Sequence, residues 1–435
     1  MELLPTLIIR RDKGIAGHVQ VKKVKKMKGF TTKIIHSDRL DEVEHGSLHK
    51  PIHATVAYGY DDARELAAVF QGKQPGFSYG RQINPTIEAL QAKVSKMENG
   101  LQTVCFSTGM AAIGTMLFAL LKNGDHFISS SFLFGNTNSL FNQFSAHGID
   151  VTFVDATDEK SVEAAINSRT RLVFVETIAN PRTQVSALSE IGSLCKKNNL
   201  VYVVDNTMTT PYLFQPKVVD ASLVINSLTK YIGGHGNALG GAVTELGSYD
   251  WSKYPNISDD YKKGSADTWG ITQIKKKGLR DFGASLGPEA AHHLSVGAET
   301  LALRIERQCT NARAITNFLA THEKISRVYY PGLENHPQFV RASELFVYPG
   351  AIFSFELIDE VDIWKFLNDL KIIIRSSNLG DNRTLAIPVA HTIYYEMGAE
   401  RRESMGIKDS LIRISVGIEE EEDLVNDLDV ALSSA

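Results

Sequence analysis

One charged residue stands alone in a long neutral stretch. From Ala221 to Thr244, Lys230 is the only acidic or basic residue if His235 is counted neutral. An apolar run, Ala221 to Ile225, leads into it, and a glycine-rich loop ending at Gly240-Gly241 leads away. A strand followed by a tight loop of small residues puts an ammonium where the backbone stops, on the floor of a site. Two readings stand side by side. The residue is a solvated lysine at a strand end, or a lysine that desolvation and neighbours make nucleophilic enough for a Schiff base.

The second reading needs an electron sink, and pyridoxal phosphate (PLP) is the usual one. Its phosphate wants backbone amides at a helix start, which Gly109 and Met110 can supply. Hydroxyls of Ser227 and Thr229 lie beside the lysine and could also reach the phosphate. The ring nitrogen wants a carboxylate, and Asp205 ends the preceding apolar run. The ring face wants a flat apolar partner, and Phe134 sits in the turn Phe132-Leu-Phe-Gly135. An amino-acid substrate wants a guanidinium for its carboxylate, and Arg413 lies inside a late apolar run. Each has a plainer alternative: a turn glycine, a helix N-cap, a core ring, an ion pair with Glu419 or Glu420.

Short apolar runs alternating with helical ones must position these groups. Strands are expected at Thr103 to Phe106, His126 to Ser130, Asp150 to Asp155, Arg171 to Glu176, Leu200 to Asp205 and Ala221 to Ile225. Helical stretches sit between several of them, beginning with Met110 to Leu121. Such alternation argues for an α/β fold with a mostly parallel central sheet covered by helices, its site beyond the carboxyl ends of the strands. Beyond about Phe282 a long helix, Pro288 to His322, precedes strands Ile352 to Leu357 and Leu411 to Val416, a smaller α+β domain. The expected division is a basic, solvated extension over 1–29, an arm over 30–83, a large domain over 84–283 and the α+β domain over 284–435. Met27 offers an alternative start.

Composition narrows the partners. The 435 residues are 43% hydrophobic and 22% charged, with a net charge of −4, which argues against nucleic acid. The longest apolar runs fall short of a membrane span. Cys105, Cys195 and Cys309 are scattered without a CxxC pair, so neither a disulfide framework nor a metal site is expected, and a cytoplasmic location is.

Several spaced motifs carry a family resemblance. Asp205-Asn-Thr-Met-Thr-Thr-Pro211 followed by Ser227-Leu-Thr-Lys-Tyr-Ile-Gly-Gly-His-Gly236 resembles the PLP signature of the Cys/Met-metabolism, or trans-sulfuration, enzymes. Tyr79-Gly-Arg81 with Asn84-Pro-Thr86, Ser107-Thr-Gly-Met110, Glu176-Thr-Ile-Ala-Asn-Pro181 and Arg413-Ile-Ser-Val-Gly-Ile-Glu419 extend the likeness from about Thr31 to the C-terminus. The resemblance implies the aminotransferase-like fold, fold type I, and a homotetramer of dimers that share active sites. It implies that Lys230 holds the cofactor and Asp205 faces its ring nitrogen. Gly109, Met110, Ser227, Thr229 and Thr207 would surround the cofactor, with Tyr79 and Arg81 reaching the phosphate from the neighbouring subunit. Asn180 would lie near the phenolic oxygen, Arg413 and Asn378 would meet the substrate, and Glu176 would stand behind the site.

The chain also departs from the pattern. Phe134 stands where most of the family stacks a tyrosine, so stacking survives without the hydroxyl; Tyr58, Tyr60 or Tyr394 are the candidate substitutes. Asn378 replaces the serine of a Ser-Leu-Gly loop, and Arg383 replaces a glutamate suited to the distal ammonium of cystathionine. The expected activity is γ-replacement on an O-acylated homoserine with sulfide or a small thiol. The alternatives are a γ-lyase acting on methionine or a cystathionine-like substrate, a cystathionine γ-synthase, and, from another class, a PLP-binding protein without turnover.

Overall fold

The computed structural model describes residues 28–38 and 43–435; the basic run Lys22 to Lys26 and Met27 lie outside the described residues. Seven apolar runs form the central sheet: β1 (Gln102–Phe106), β2 (His126–Ser130), β3 (Asp150–Val154), β4 (Thr170–Glu176), β5 (Val201–Asp205), β6 (Leu223–Asn226) and β7 (Gly241–Glu245). Their spatial order is β1-β7-β6-β5-β4-β2-β3. β2 through β6 pair in parallel, while β7 runs antiparallel to both β1 and β6. Alternate residues of each strand feed two cores, as the period of two requires. Val173, Val175 and Val204 pack into one with helix Leu188–Lys197, and Leu172, Phe174 and Val203 into the other with helix Gly109–Leu120.

Strand β7 is not expected from the sequence, where Gly233 to Gly241 reads as loop. Its reversed direction has a simple cause. No crossover helix separates β6 from β7, so the loop carrying Lys230 turns back at the same sheet edge. That edge also receives Glu176 and Asp205, which are direct register neighbours on β4 and β5.

The expected helix Pro288 to His322 is two helices, Pro288–Ala298 and Leu301–Ala320. Gly297 lies near the end of the first. It presses on the lysine loop so closely that a Cβ would meet the Gly233 carbonyl oxygen at 2.1 Å. From the second helix, buried Arg304 donates to the carbonyls of Tyr231 at 2.7 Å, Ile232 at 3.0 Å and Gly297 at 2.8 Å. The loop is thus clamped from the C-terminal part of the chain.

A second sheet follows: β8 (Ile325–Tyr329), β9 (Ile352–Leu357), β10 (Ile374–Arg375), β11 (Leu385–Pro388) and β12 (Leu411–Ser415), in the order β10-β11-β12-β9-β8. Only β10 and β11 pair in parallel. β8, β10 and β11 are too short or too mixed in pattern to be read from sequence. Arg413 lies mid-strand in β12, between Ile387 of β11 and Ser354 of β9. No helix among the described residues is long and apolar enough to cross a membrane.

Candidate active site

A cavity of about 360 Å³ opens where the carboxyl edge of the large sheet faces the second sheet. Gly109, Met110, Phe134, Asn180, Asp205, Thr207, Ser227, Thr229, Lys230, Asn378 and Arg413 all line it, with Glu176 among them. Strand ends and one mid-strand arginine converge there from opposite sides.

The phosphate corner is built on helix Gly109–Leu120. Thr108 caps it, its hydroxyl accepting from the Ala111 amide at 3.0 Å, which leaves the first amides of the helix free for an anion. Gly109 is needed for closeness: a Cβ would stand 3.0 Å from Ser227 Cβ and 3.1 Å from its hydroxyl. The Ser227 amide donates to Thr207 Oγ1 at 2.8 Å, and Thr229 Oγ1 accepts from the Gly240 amide at 3.0 Å, so the loop is tied before any ligand arrives.

Two acids sit side by side behind this corner. Burial raises the carboxyl of Asp205 above its ordinary range, although the Thr207 amide donates to Oδ1 at 2.9 Å. Burial and the neighbouring Asp205 raise Glu176 as well. One Glu176 oxygen accepts from the Phe134 amide at 3.1 Å; the other has no partner. Both side-chain polar atoms of buried Asn180 are likewise unpaired. A protonated ring nitrogen would give Asp205 the cation its burial calls for, and a phenolate oxygen would accept from Asn180 Nδ2, so the residues present fit the bound cofactor.

Lys230 Nζ donates to Asn378 Oδ1 at 2.8 Å. Burial, with help from the Arg413 charge, brings the ammonium down to about 8. Arg413 is itself buried and brought down to about 10. Its Nη2 donates to the carbonyls of Ser377 at 3.0 Å and Asn378 at 2.9 Å, while its Nε is unpaired. The two acids near it in sequence are engaged elsewhere, Glu419 with Thr384 and Glu420 with Arg307.

Tyr79 and Arg81 are not brought to this cavity. They lie on the arm, where Arg81 packs over the Tyr79 ring and its guanidinium donates to the Arg280 carbonyl; Tyr79 is 40% exposed. The three tyrosines that might have replaced the missing hydroxyl are committed elsewhere. Tyr60 donates to the Phe77 carbonyl, Tyr58 accepts from Asn84, and Tyr394 points at the Asn180 and Leu133 carbonyls. Arg383 pairs with Asp381 at 3.0 Å and does not line the cavity. Sequence reasoning misses the apolar side of the cavity, formed by Ile113, Met208, Leu239, Leu379 and Ile393, whose residue types carry no chemical signal.

The arrangement has clear relatives. An L-methionine gamma-lyase from Fusobacterium nucleatum is 36% identical over 411 residues, 94% of this chain and 98% of that protein. An O-acetyl-L-homoserine sulfhydrylase from Corynebacterium glutamicum is 32% identical over 420 residues, 92% of this chain and 96% of the relative. A Campylobacter jejuni crystal structure described as an O-acetylhomoserine (thiol)-lyase superposes with a TM-score of 0.88 at 30% identity, over 94% of this chain and all of that one; it carries pyridoxyl-lysine phosphate. With a family match over residues 31–433, nearly the whole described chain, this protein belongs to the Cys/Met metabolism PLP-dependent enzymes.

Proposed function

We propose that this enzyme catalyses γ-replacement on an O-acylated homoserine, with sulfide or a small thiol as the incoming nucleophile. One observation carries the reading. Among the described residues the cavity holds no cation beyond Lys230 and Arg413 and no tyrosine of this chain. Apart from the polar groups already named, which face the cofactor and the substrate carboxylate, its wall is Met110, Ile113, Phe134, Met208, Leu239, Leu379 and Ile393. Such a lining suits an uncharged substrate arm and offers no phenol to protonate a departing group. A carboxylate leaves without a proton at neutral pH, whereas a thiolate is more basic and gains more from an acid. The Cγ–O bond breaks, a Cγ–S bond forms, and the acyl group departs as its carboxylate.

Bound here, PLP supplies the electron sink that lets a proton leave the substrate carbon beside the amine. Lys230 Nζ takes that proton and moves a second at the next carbon, a task suited to an amine brought down to about 8. Asp205 keeps the ring nitrogen protonated, Phe134 covers the ring face, and Gly109, Met110, Ser227 and Thr229 hold the phosphate. Arg413 binds the substrate carboxylate. Tyr79 and Arg81 serve the site of a second copy, in a homotetramer of dimers. Three buried, unpaired cysteines accord with a cytoplasmic setting.

A second reading, γ-elimination from methionine, is favoured by the 36% identity to a methionine gamma-lyase. Product analysis with O-acetylhomoserine, with and without sulfide, separates the two. Homocysteine formed only with sulfide supports replacement. Ketobutyrate and ammonia in both tubes support the lyase, with methionine tried next; no product overturns both.

A further inference from the structure

Helix Pro85–Met97 ends in a tight reversal. Asn99 adopts φ 50°, and Gly100 lies so close to β7 that a Cβ would stand 2.3 Å from Thr244 Cγ2. The reversal drives Glu98, the helix C-cap, beneath the sheet, where it is fully buried. Its partners are amides, not cations. Asn226 Nδ2 donates to Oε1 at 2.6 Å, and Asn206 Nδ2 donates to the same oxygen at 3.1 Å and more weakly to Oε2 at 3.4 Å. Burial brings the carboxyl up to about 7 while the two amides pull it back. A carboxylate held inside a protein without a cation is costly, and its place relative to the site gives it a purpose.

That place is one residue away from the cofactor groups on two strands. Asn206 follows Asp205, and Asn226 precedes Ser227. The backbone amide of Asn206 donates to the Ile225 carbonyl at 2.9 Å, so the two strand ends are already paired there. Thr209 extends the network, donating to Asn206 Oδ1 and contacting Thr177 Oγ1 at 2.9 Å; Thr177, next to Glu176, donates its amide to the Asp205 carbonyl at 3.1 Å. Glu98 itself does not line the cavity.

We propose that Glu98 is a positioning residue for the cofactor: by holding the Asn206 and Asn226 side chains together it fixes the ends of β5 and β6, and with them Asp205 and Ser227. The inference rests on the assignment of those two residues to the ring nitrogen and the phosphate. Glu98→Ala removes both acceptors, leaving the Asn226 amide unpaired and Asn206 Nδ2 with the Phe214 carbonyl alone, at 3.1 Å. Glu98→Gln keeps one oxygen for them.

The test is PLP titration of apo protein, followed by the visible absorption band and its circular dichroism, which reports how the ring is held. Glu98→Ala is expected to bind PLP about tenfold more weakly, the loss of one charge-assisted hydrogen bond transmitted to the ligand, with a reduced visible dichroic band. Glu98→Gln should stay within about threefold of wild type, a rescue that bulk destabilisation would not give. Asn226→Ser removes a single amide and reads the same effect if Glu98→Ala does not fold. Wild-type affinity and dichroism in a folded Glu98→Ala, or in Asn226→Ser should the alanine variant not fold, overturn the proposal. Absence of a visible band in wild type would overturn the cofactor assignment itself and this inference with it.

Discussion

Both edges of the large sheet carry polar side chains and treat them in different ways. At the amino edge the groups satisfy one another. His126 is bonded through Nδ1 to Thr170 Oγ1 at 2.8 Å and through Nε2 to Thr152 Oγ1 at 2.9 Å, and Asp125 takes Asn256 Nδ2 at 2.7 Å. Arg171 Nε forms an ion pair with Asp125 at 2.8 Å but is off-line for a hydrogen bond. At the carboxyl edge Glu176 Oε2 and both side-chain atoms of Asn180 have no partner, nor has Arg413 Nε, which reaches the same cavity from the second sheet. Buried polar atoms are almost always paired in a folded chain, so a group of orphans around one cavity marks where a ligand completes the hydrogen bonding. The same sheet is nearly self-sufficient at one end, where the orphan Arg171 Nε still has an ion partner, and unfinished at the other.

The hardest blow to that contrast is Lys230→Ala. It should abolish the borohydride-sensitive visible band and lower turnover by at least about a thousandfold, the worth of a nucleophile and base acting together. Apo protein should keep or gain thermal stability, because a desolvated ammonium is removed from an apolar site. Turnover above a tenth of wild type would mean that the unfinished edge is not where the chemistry occurs.

Cofactor loading gives a finer reading of the same lysine. Only the neutral amine attacks, and burial brings Lys230 from its ordinary 10.5 down to about 8. Because the folded value lies below the unfolded one, the stability tied to this group is present above the unfolded value and lost as pH falls through about 8. The rate of PLP attachment should therefore climb about tenfold per pH unit below that point and level off above it. Arg413→Leu should move the midpoint upward, since the guanidinium charge is part of what lowers it. A loading rate still rising steeply past pH 9 would contradict the desolvated lysine.

Residues that announce themselves are those whose chemistry conflicts with their surroundings. Lys230, Asp205 and Arg413 are charged groups at or inside apolar runs, which makes them legible as a set from the sequence alone. The parallel strands are legible because each is a nearly continuous apolar run between turns. β7 is not, since Gly241-Ala-Val-Thr-Glu245 reads as the tail of a glycine loop until β1 and β6 flank it. Arg304 and Glu98 stay hidden for another reason. An arginine on an amphipathic helix and a glutamate at a helix end look like surface residues, and only tertiary packing turns one onto the Tyr231 carbonyl and the other onto two asparagines. Tyr79 and Arg81 stand out by motif alone; within one chain the fold keeps them on the exposed arm.

The smallest effect comes from the finished edge. Thr170 Oγ1 faces His126 Nδ1 and also accepts from the Asn167 amide at 2.9 Å, so one hydroxyl closes two bonds. Thr170→Val preserves the shape but leaves the Asn167 backbone amide unpaired and His126 Nδ1 with only the Asn167 side-chain amide at 3.1 Å, a loss of about 1–3 kcal/mol in stability. The thermal midpoint should fall while kcat and KM of the folded enzyme stay within about twofold of wild type, as expected for a change far from the reacting groups. The pH dependence gives it a signature. Burial lowers the His126 imidazolium below its ordinary 6.5, so its contribution is present above that value and is lost on acidification. Thr170→Val should be most damaging above pH 6.5 and converge on wild type in acid, where the wild-type network has already been broken by protonation. A change in kcat larger than the change in stability would show that the two edges communicate, and the division of labour drawn across the sheet would have to be abandoned.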